Sequence, residues 1–399
     1  MQVTEAVPWD GLTARQREIR ENARAFTATH VTPVAARHDA EASYPHEMVR
    51  AARNAGLFNT VIPEHHGGPG FSAVDEVILA EEVGYGCVSM WTVLGIANLA
   101  TMPILIGGSD EQRRRRFGEI LAGATPAFAL TEPTGGSDVA SLQTSAHRKG
   151  DHYVISGAKR YISTAEVADF FVLFAKTDPA AGQRGISAFI VGRDSPGLRI
   201  THRFDKAAHR AYDTSEVEID DVIIPVSDRI GNEGDGFRLA MAAFDRNRPA
   251  VAGAATGLAA RALDEATEYA LDRTAFGQAI ATFQAVAHKL SDIAAGVEAS
   301  RQLALLAARQ LDSQVRNVGT AAKAKLIATD LAMRAATEAV QIFGAAGIMR
   351  GNIVEKLFRD AKVLQIYEGT NEIQRNIIAR ELIKSEEYRK RRRGPAGSA

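Results

Sequence analysis

The chain of 399 residues contains a single cysteine, Cys87. One thiol excludes an intramolecular disulfide and any multi-cysteine metal site; it reads as a core residue in a reducing compartment. An excess of one charge is also missing. Lys and Arg number 47 against 48 Asp and Glu, a net −1, whereas a dedicated nucleic-acid binder gathers surplus cations on one face. No uninterrupted apolar run is long enough to span a bilayer, and the opening MQVTEAVPWDGL lacks the basic segment and apolar run of a secretory signal. The expectation is a soluble, cytoplasmic protein that binds neither membrane nor nucleic acid. No GxGxxG joins a strand to a helix and no GxxxxGK(S/T) occurs, which argues against a Rossmann nicotinamide site and a P-loop. His65 and His66 lack acidic or thiolate partners at ligand spacing and read as part of a turn-rich loop, so no metal is expected.

What the chain does contain is 46% hydrophobic and 24% charged residues, enough for a substantial core and two or three domains. Its most informative stretch is QIYEGTNEIQRNIIAR, Gln365 to Arg380. Glu368 sits between aromatic Tyr367 and the flexible pair Gly369-Thr370, and Ile373, Ile377 and Ile378 begin a helical pattern just after it. A carboxylate flanked in this way can be held partly dehydrated, which raises its pKa toward a proton-abstracting value. Taken alone, a glutamate is far more often an ordinary solvated loop residue.

The period along the chain changes twice. From Thr13 to about Leu121 it is helical: Ile19, Ala23 and Phe26 recur at helical spacing, Pro33 permits a bend, and a further helix covers His46 to Leu57. Val74 to Leu105 reads as two buried helices joined at Gly84-Tyr85-Gly86, with Trp91 and Gly95 on one face. Arg113 to Arg116 reads as the charged face of the next helix. From about Pro126 to Asp228 the period is two. His152–Ser163, Asp169–Lys176, Ile186–Val191, Leu198–Thr201 and Ser215–Ile224 predict a compact antiparallel β domain. From Gly234 to Leu382 the pattern is helical again, with helices over Phe237–Asp245, Arg248–Arg273, Gln284–Leu311, Gly319–Phe343 and Asn352–Ala361. The resulting fold class is α+β. A helical domain (1–125) precedes a β-barrel-like middle domain (126–233), a long-helix bundle (234–385) and a basic tail (386–399), the last expected to be a solvated end.

ALTEPTGGSD (Ala129 to Asp138) and IYEGTNEIQRNIIAREL (Ile366 to Leu382) resemble the two signature segments of the acyl-CoA dehydrogenase family. AFDRNRP (Ala243 to Pro249), RTAFGQAIATFQ (Arg273 to Gln284) and QIFGAAGI (Gln341 to Ile348) match in the same order and spacing, and five ordered motifs are far more specific than one. The likeness covers about residues 12 to 385, with a medium-chain flavour, and it implies the helical, β, helical architecture.

The resemblance implies FAD, extended between the β domain and the C-terminal helices and completed by a neighbouring subunit. Leu130, Thr131, Gly136 and Ser137 would then contact the isoalloxazine and pyrophosphate. Tyr161, Ile162 and Ser163 would flank the ring, where the family usually has Trp and Thr. Arg273, Phe276 and Gln284 would reach the diphosphate and adenosine from the adjacent subunit. Gln341, Phe343 and Gly344 would complete that site, with Ala345 where a second Gly is common, and Thr370 and Glu372 would stand beside the adenosine. Ser137, Asp245, Arg248 and Gly369 would serve the thioester substrate. Trp91 and Gly95 would lie at the deep end of the acyl pocket, the first shortening it and the second deepening it.

The implied reaction is α,β-dehydrogenation of an acyl-CoA to a trans-2-enoyl-CoA, in the manner of fatty acid metabolism. Glu368 is the α-proton base and flavin N5 the hydride acceptor. Some relatives carry the base at the position of Asn247, which cannot serve as one. An electron-transfer flavoprotein is the implied oxidant and a homotetramer the implied assembly. An acyl-carrier-protein dehydrogenase or a flavin oxidase of a biosynthetic pathway, and a catalytically silent helical oligomeric scaffold, are the alternatives.

Overall fold

The computed structural model describes residues 11–384; the basic tail lies outside the described residues. The first helices follow the expected pattern. Helix α1 (Ala14–Phe26) is started by a reciprocal capping box between Thr13 and Gln16. It runs through an irregular turn containing Pro33 into α2 (Ala35–Glu41), and α3 is His46–Asn54. Helix α4 (Ala73–Gly107) opens on a second capping box, Ser72 with Asp75. It is interrupted by one extended residue, Cys87 (φ −167°, ψ 109°), one position beyond the expected junction. Part of α4 is apolar over a length that could cross a membrane, contrary to the sequence expectation, but 78% of that window is buried inside the protein. Helix α5 is Asp110–Leu121.

The middle segment is one eight-stranded sheet: β1 (Pro126–Ala129), β2 (Ser145–Lys149), β3 (His152–Ser163), β4 (Phe170–Lys176), β5 (Ile186–Gly192), β6 (Leu198–Arg203), β7 (Thr214–Pro225) and β8 (Arg229–Ile230). Their order is β6-β7-β3-β2-β4-β5-β8, with β1 beside β4. The expected antiparallel sheet is in fact mixed, because β1 and β2 both pair with β4 in parallel. The sequence shows why β4 and β5 can sit centrally. FFVLFAK and ISAFIVG are nearly continuous apolar runs, and both faces are buried. Phe171, Leu173 and Phe189 face the core of the β domain, whereas Phe170, Val172 and Ile190 face α4, α5 and α6.

Helix α6 (Gly236–Asp272) is continuous through Pro249, where two helices were expected. It is followed by a hairpin of β9 (Thr274–Ala275) and β10 (Gln278–Ala279), then α7 (Gln284–Asp312), α8 (Val318–Phe343), α9 (Ile353–Leu364) and α10 (Asn371–Lys384). Helices of the first and last segments share one core. A Cβ at Gly257 would fall 2.1 Å from the carbonyl oxygen of Glu81, and one at Gly84 would fall 2.6 Å from that of Ala254. The absence of side chains therefore sets the α4–α6 separation. Gly257→Val is expected to lower stability by about 1–3 kcal/mol or more through this backbone clash, read as a fall in the urea midpoint. An unchanged midpoint would contradict the close crossing.

Candidate active site

The junction of α9 and α10 places Glu368 beside α6. Glu368 has φ +53° and Gly369 φ +90°, a left-handed pair that reverses the chain. Only Gly adopts that region without cost, so Glu368 carries roughly 1–3 kcal/mol of strain. Buried side chains hold the turn. Arg248 Nε donates to Glu368 O (3.3 Å), Lys325 Nζ donates to Gly369 O (3.1 Å) and to Asn371 Oδ1 (2.9 Å), and Gln374 Nε2 donates to Gly369 O (2.9 Å). Asp245 pairs with Arg248 at 2.6 Å.

The carboxylate itself is contacted from α6, where Asn247 Nδ2 donates to Oε1 at 2.7 Å. Oε2 is buried without a hydrogen-bond partner, and so is the hydroxyl of Tyr367. Burial pushes Glu368 up to about 7, opposed by the Asn247 hydrogen bond and the charges of Arg248 and Lys325. Burial likewise pulls Lys325 down to about 7. A carboxyl that changes protonation near neutral pH, with one oxygen free, suits a general base.

The first glycine-rich signature lies at the β domain. Glu132, buried, accepts from Lys159 Nζ at 2.7 Å and from Thr144 N at 3.0 Å. Lys159 also donates to Leu130 O (3.3 Å), and Arg160 N donates to Thr131 O (2.8 Å). These bonds bring Leu130 and Thr131 against the end of β3, which carries Tyr161, Ile162 and Ser163. Ile162 is buried; Tyr161 is at φ +58°, exposed, and packed 5.0 Å from Phe204. Loop 204–213 links this region to the base. His209 is fully buried, and its ring stands edge-on to both Tyr212 and Tyr367.

Arg273, Phe276, Gln284, Gln341, Phe343 and Gly344 form a separate group. Tyr269 at the end of α6 stacks on Phe343 at 4.1 Å, while from Lys325 to Phe343 α8 rises about 27 Å. Phe276 is a bulky side chain at φ +53° and 96% exposed. Within one chain, then, Glu368, Gly369, Asp245, Arg248, Thr370 and Glu372 come together at one end of the bundle, and residues 273–284 and 341–344 gather at the other.

Family models for the N-terminal, middle and C-terminal domains of acyl-CoA dehydrogenase match residues 13–124, 127–222 and 234–383. The chain belongs to the acyl-CoA dehydrogenase family. An acyl-CoA dehydrogenase of Bacillus subtilis (strain 168) is 38% identical over 375 residues, 93% of this chain and 99% of that protein. Butyryl-CoA dehydrogenase from Megasphaera elsdenii superposes with TM-score 0.91 at 33% identity, covering 94% and 99% of the two chains. The prolyl acyl carrier protein oxidase AnaB gives TM-score 0.90 at 28% identity, covering 93% and 100%.

As a family member the chain is an FAD-dependent oxidoreductase, and its residues fit that cofactor. Among the described residues, the hydroxyls of Thr131 and Ser137, the amides of Gln284 and Gln341 and the guanidinium of Arg273 have no hydrogen-bond or ion-pair partner. These are donors suited to an anionic diphosphate and an electron-rich ring.

Sequence reasoning overlooked Lys325, Lys159, Glu132 and Gln374, and set Asn247 aside. One signal was available: Lys325 falls at helical spacing among Ala321, Ala328 and Ala332, on the buried face of α8. Arg248, expected at the substrate, is 3% exposed and committed to Asp245 and the base turn.

Proposed function

We propose that this acyl-CoA dehydrogenase removes the α-proton of an acyl-CoA with Glu368, yielding the trans-2-enoyl-CoA. The observation that carries the reading is the buried carboxyl on a left-handed turn, one oxygen held by Asn247 and the other unpaired. FAD, when bound, would accept the β-hydrogen as hydride. Glu368 Oε2 would face the α-carbon, and the thioester carbonyl needs donors to stabilise enolate-like charge, for which the backbone N–H of Glu368 is proposed. Thr131, Ser137 and Tyr161–Ser163 are proposed at the flavin, with Leu130 and Gly136 shaping its approach.

Arg273, Phe276, Gln284, Gln341, Phe343 and Gly344 are proposed to complete a second subunit's cofactor site, since they cannot reach their own chain's base. Thr370 and Glu372 stand beside Glu368 at the start of α10. A homotetramer, a cytoplasmic setting, a role in fatty acid metabolism and an electron-transfer flavoprotein as oxidant belong to the same proposal.

At the proposed deep end, Trp91 Cζ2 lies 3.1 Å from where a Cβ on Gly95 would be. The indole thus fills the space that Gly95 leaves, favouring short or compact acyl groups. The likeness to AnaB supports a carrier-bound substrate as the second reading. Both are tested by presenting butyryl groups on CoA and on a carrier protein to the FAD-loaded enzyme with a one-electron dye present as electron acceptor, recording dye reduction and oxygen uptake together. Faster turnover of the CoA thioester without oxygen uptake is expected. Carrier preference with stoichiometric oxygen uptake would overturn the dehydrogenase reading.

A further inference from the structure

We propose that Asn247 is a positioning residue, whose side-chain amide occupies Oε1 of Glu368 and leaves Oε2 as the oxygen that meets the α-proton. This rests on the reading of Glu368 as the base. Asn247 is 4% exposed in the middle of α6, next to Arg248 and Pro249. Proline has no N–H, so Pro249 withdraws the helical donor from the Asp245 carbonyl and loosens the backbone bonding at this point of α6. The amide nitrogen of Asn247 reaches across to Glu368 at 2.7 Å, and among the described residues no other side chain hydrogen-bonds to that carboxylate.

The charged groups around it act at one remove. From α6, Arg248 binds Asp245 and the Glu368 backbone carbonyl. From α8, Lys325 binds Gly369 O and Asn371 Oδ1. Tyr367, on the same turn, is held by burial far above the range in which it could ionise. Arg248 and Lys325 therefore fix the turn and leave the carboxyl to a neutral donor.

The choice of side chain matters chemically. A cation bonded directly to the carboxylate would fix its charge and make it a poor base, whereas no donor at all would leave a buried acid protonated at neutral pH. An amide lies between these cases, because it prefers the ionised form modestly and selects one oxygen. A carboxylate in its place would share a proton with Glu368.

The test uses FAD-loaded Asn247→Leu, which has similar bulk and no donor, and Asn247→Asp, which is nearly isosteric. Flavin reduction by butyryl-CoA is followed anaerobically in single turnovers across pH. In parallel, the protonated-carboxyl infrared band that Glu368→Gln abolishes is titrated without substrate. In Asn247→Leu the acid limb and the band midpoint should both move up by about one to two pH units, with substrate affinity unchanged. In Asn247→Asp the carboxyl band should titrate in two steps.

Midpoints that coincide with wild type in both variants would overturn the proposal, as would a fall in the high-pH plateau alone. If Asn247→Leu fails to bind FAD, Asn247→Asp decides by the presence or absence of the second step. The base reading fails separately, if Glu368→Gln is reduced at the normal rate. A silent Glu368→Gln beside an unshifted Asn247→Leu would sink only the role of Asn247.

Discussion

Glu368→Gln is expected to load FAD normally and to stay oxidised when mixed anaerobically with an acyl-CoA that bleaches the wild type. The substitution keeps the shape of the side chain and an oxygen for Asn247, but removes the proton acceptor. Loss of a positioned general base costs up to about 10⁴ in rate, so flavin reduction should slow by that order in a stopped-flow instrument. In the wild type the same step should depend on pH in a defined direction. Burial pushes Glu368 up to about 7, against Asn247, Arg248 and Lys325, and only the ionised form accepts a proton. The rate should therefore rise with pH through about 7 and level off above it. A rate that fell over this range would point to a group required in its protonated state.

The second large effect concerns stability. Lys356→Met is expected to cost about 3–5 kcal/mol, because removing one partner of a buried pair leaves an uncompensated charge. Asp360 is fully buried; it pairs with Lys356 and accepts the backbone N–H of His209 at 2.8 Å. Lys356 also lies 3.3 Å from the Cys87 sulfur, so the pair ties α9 to the interruption in α4. A double variant with Asp360→Asn should recover part of the loss, since the amide oxygen still accepts from His209. Burial works to raise the pKa of Asp360, but Lys356 and His209 outweigh it and the carboxyl is held below its usual value. A depressed carboxyl contributes stability above its unfolded-state pKa and loses that contribution as pH falls through the folded value. In Lys356→Met burial acts on Asp360 without the opposing lysine and raises its pKa, so the difference between wild type and variant in urea melts should shrink as pH falls through the acid range, where the variant's carboxyl takes up its proton before the wild type's does. A difference that stayed constant into acid would contradict the pairing.

How far the sequence reached depends on the range of the interactions involved. The helical, β and helical segments were legible because apolar spacing of 3.6 or 2 is a local signal, and FFVLFAK needs no partner to read as a buried strand. The position of Glu368 was legible for the same reason, since aromatic, carboxylate, glycine and helix start are adjacent. The parallel pairing of β1 and β2 with β4 was not, because strand direction is set by connections outside each strand. The expected break between Asp245 and Arg248 is absent, because tertiary packing along the buried face of α6 keeps the helix continuous. Asn247, Lys325 and the Glu132–Lys159 pair act on residues 121, 44 and 27 positions away. Nothing local distinguishes Asn247 from an ordinary polar residue. The apolar length of α4 shows the converse limit: composition alone does not say whether a buried helix faces lipid or protein.

The most direct test of the account is anaerobic addition of butyryl-CoA to the FAD-loaded wild-type protein, recording flavin absorbance and the acyl product together. The account predicts bleaching of the flavin with one trans-2-enoyl-CoA formed for each flavin reduced. A flavin that is bound but left oxidised by butyryl-CoA, by longer or branched acyl-CoAs and by the same acyl groups on a carrier protein would contradict it.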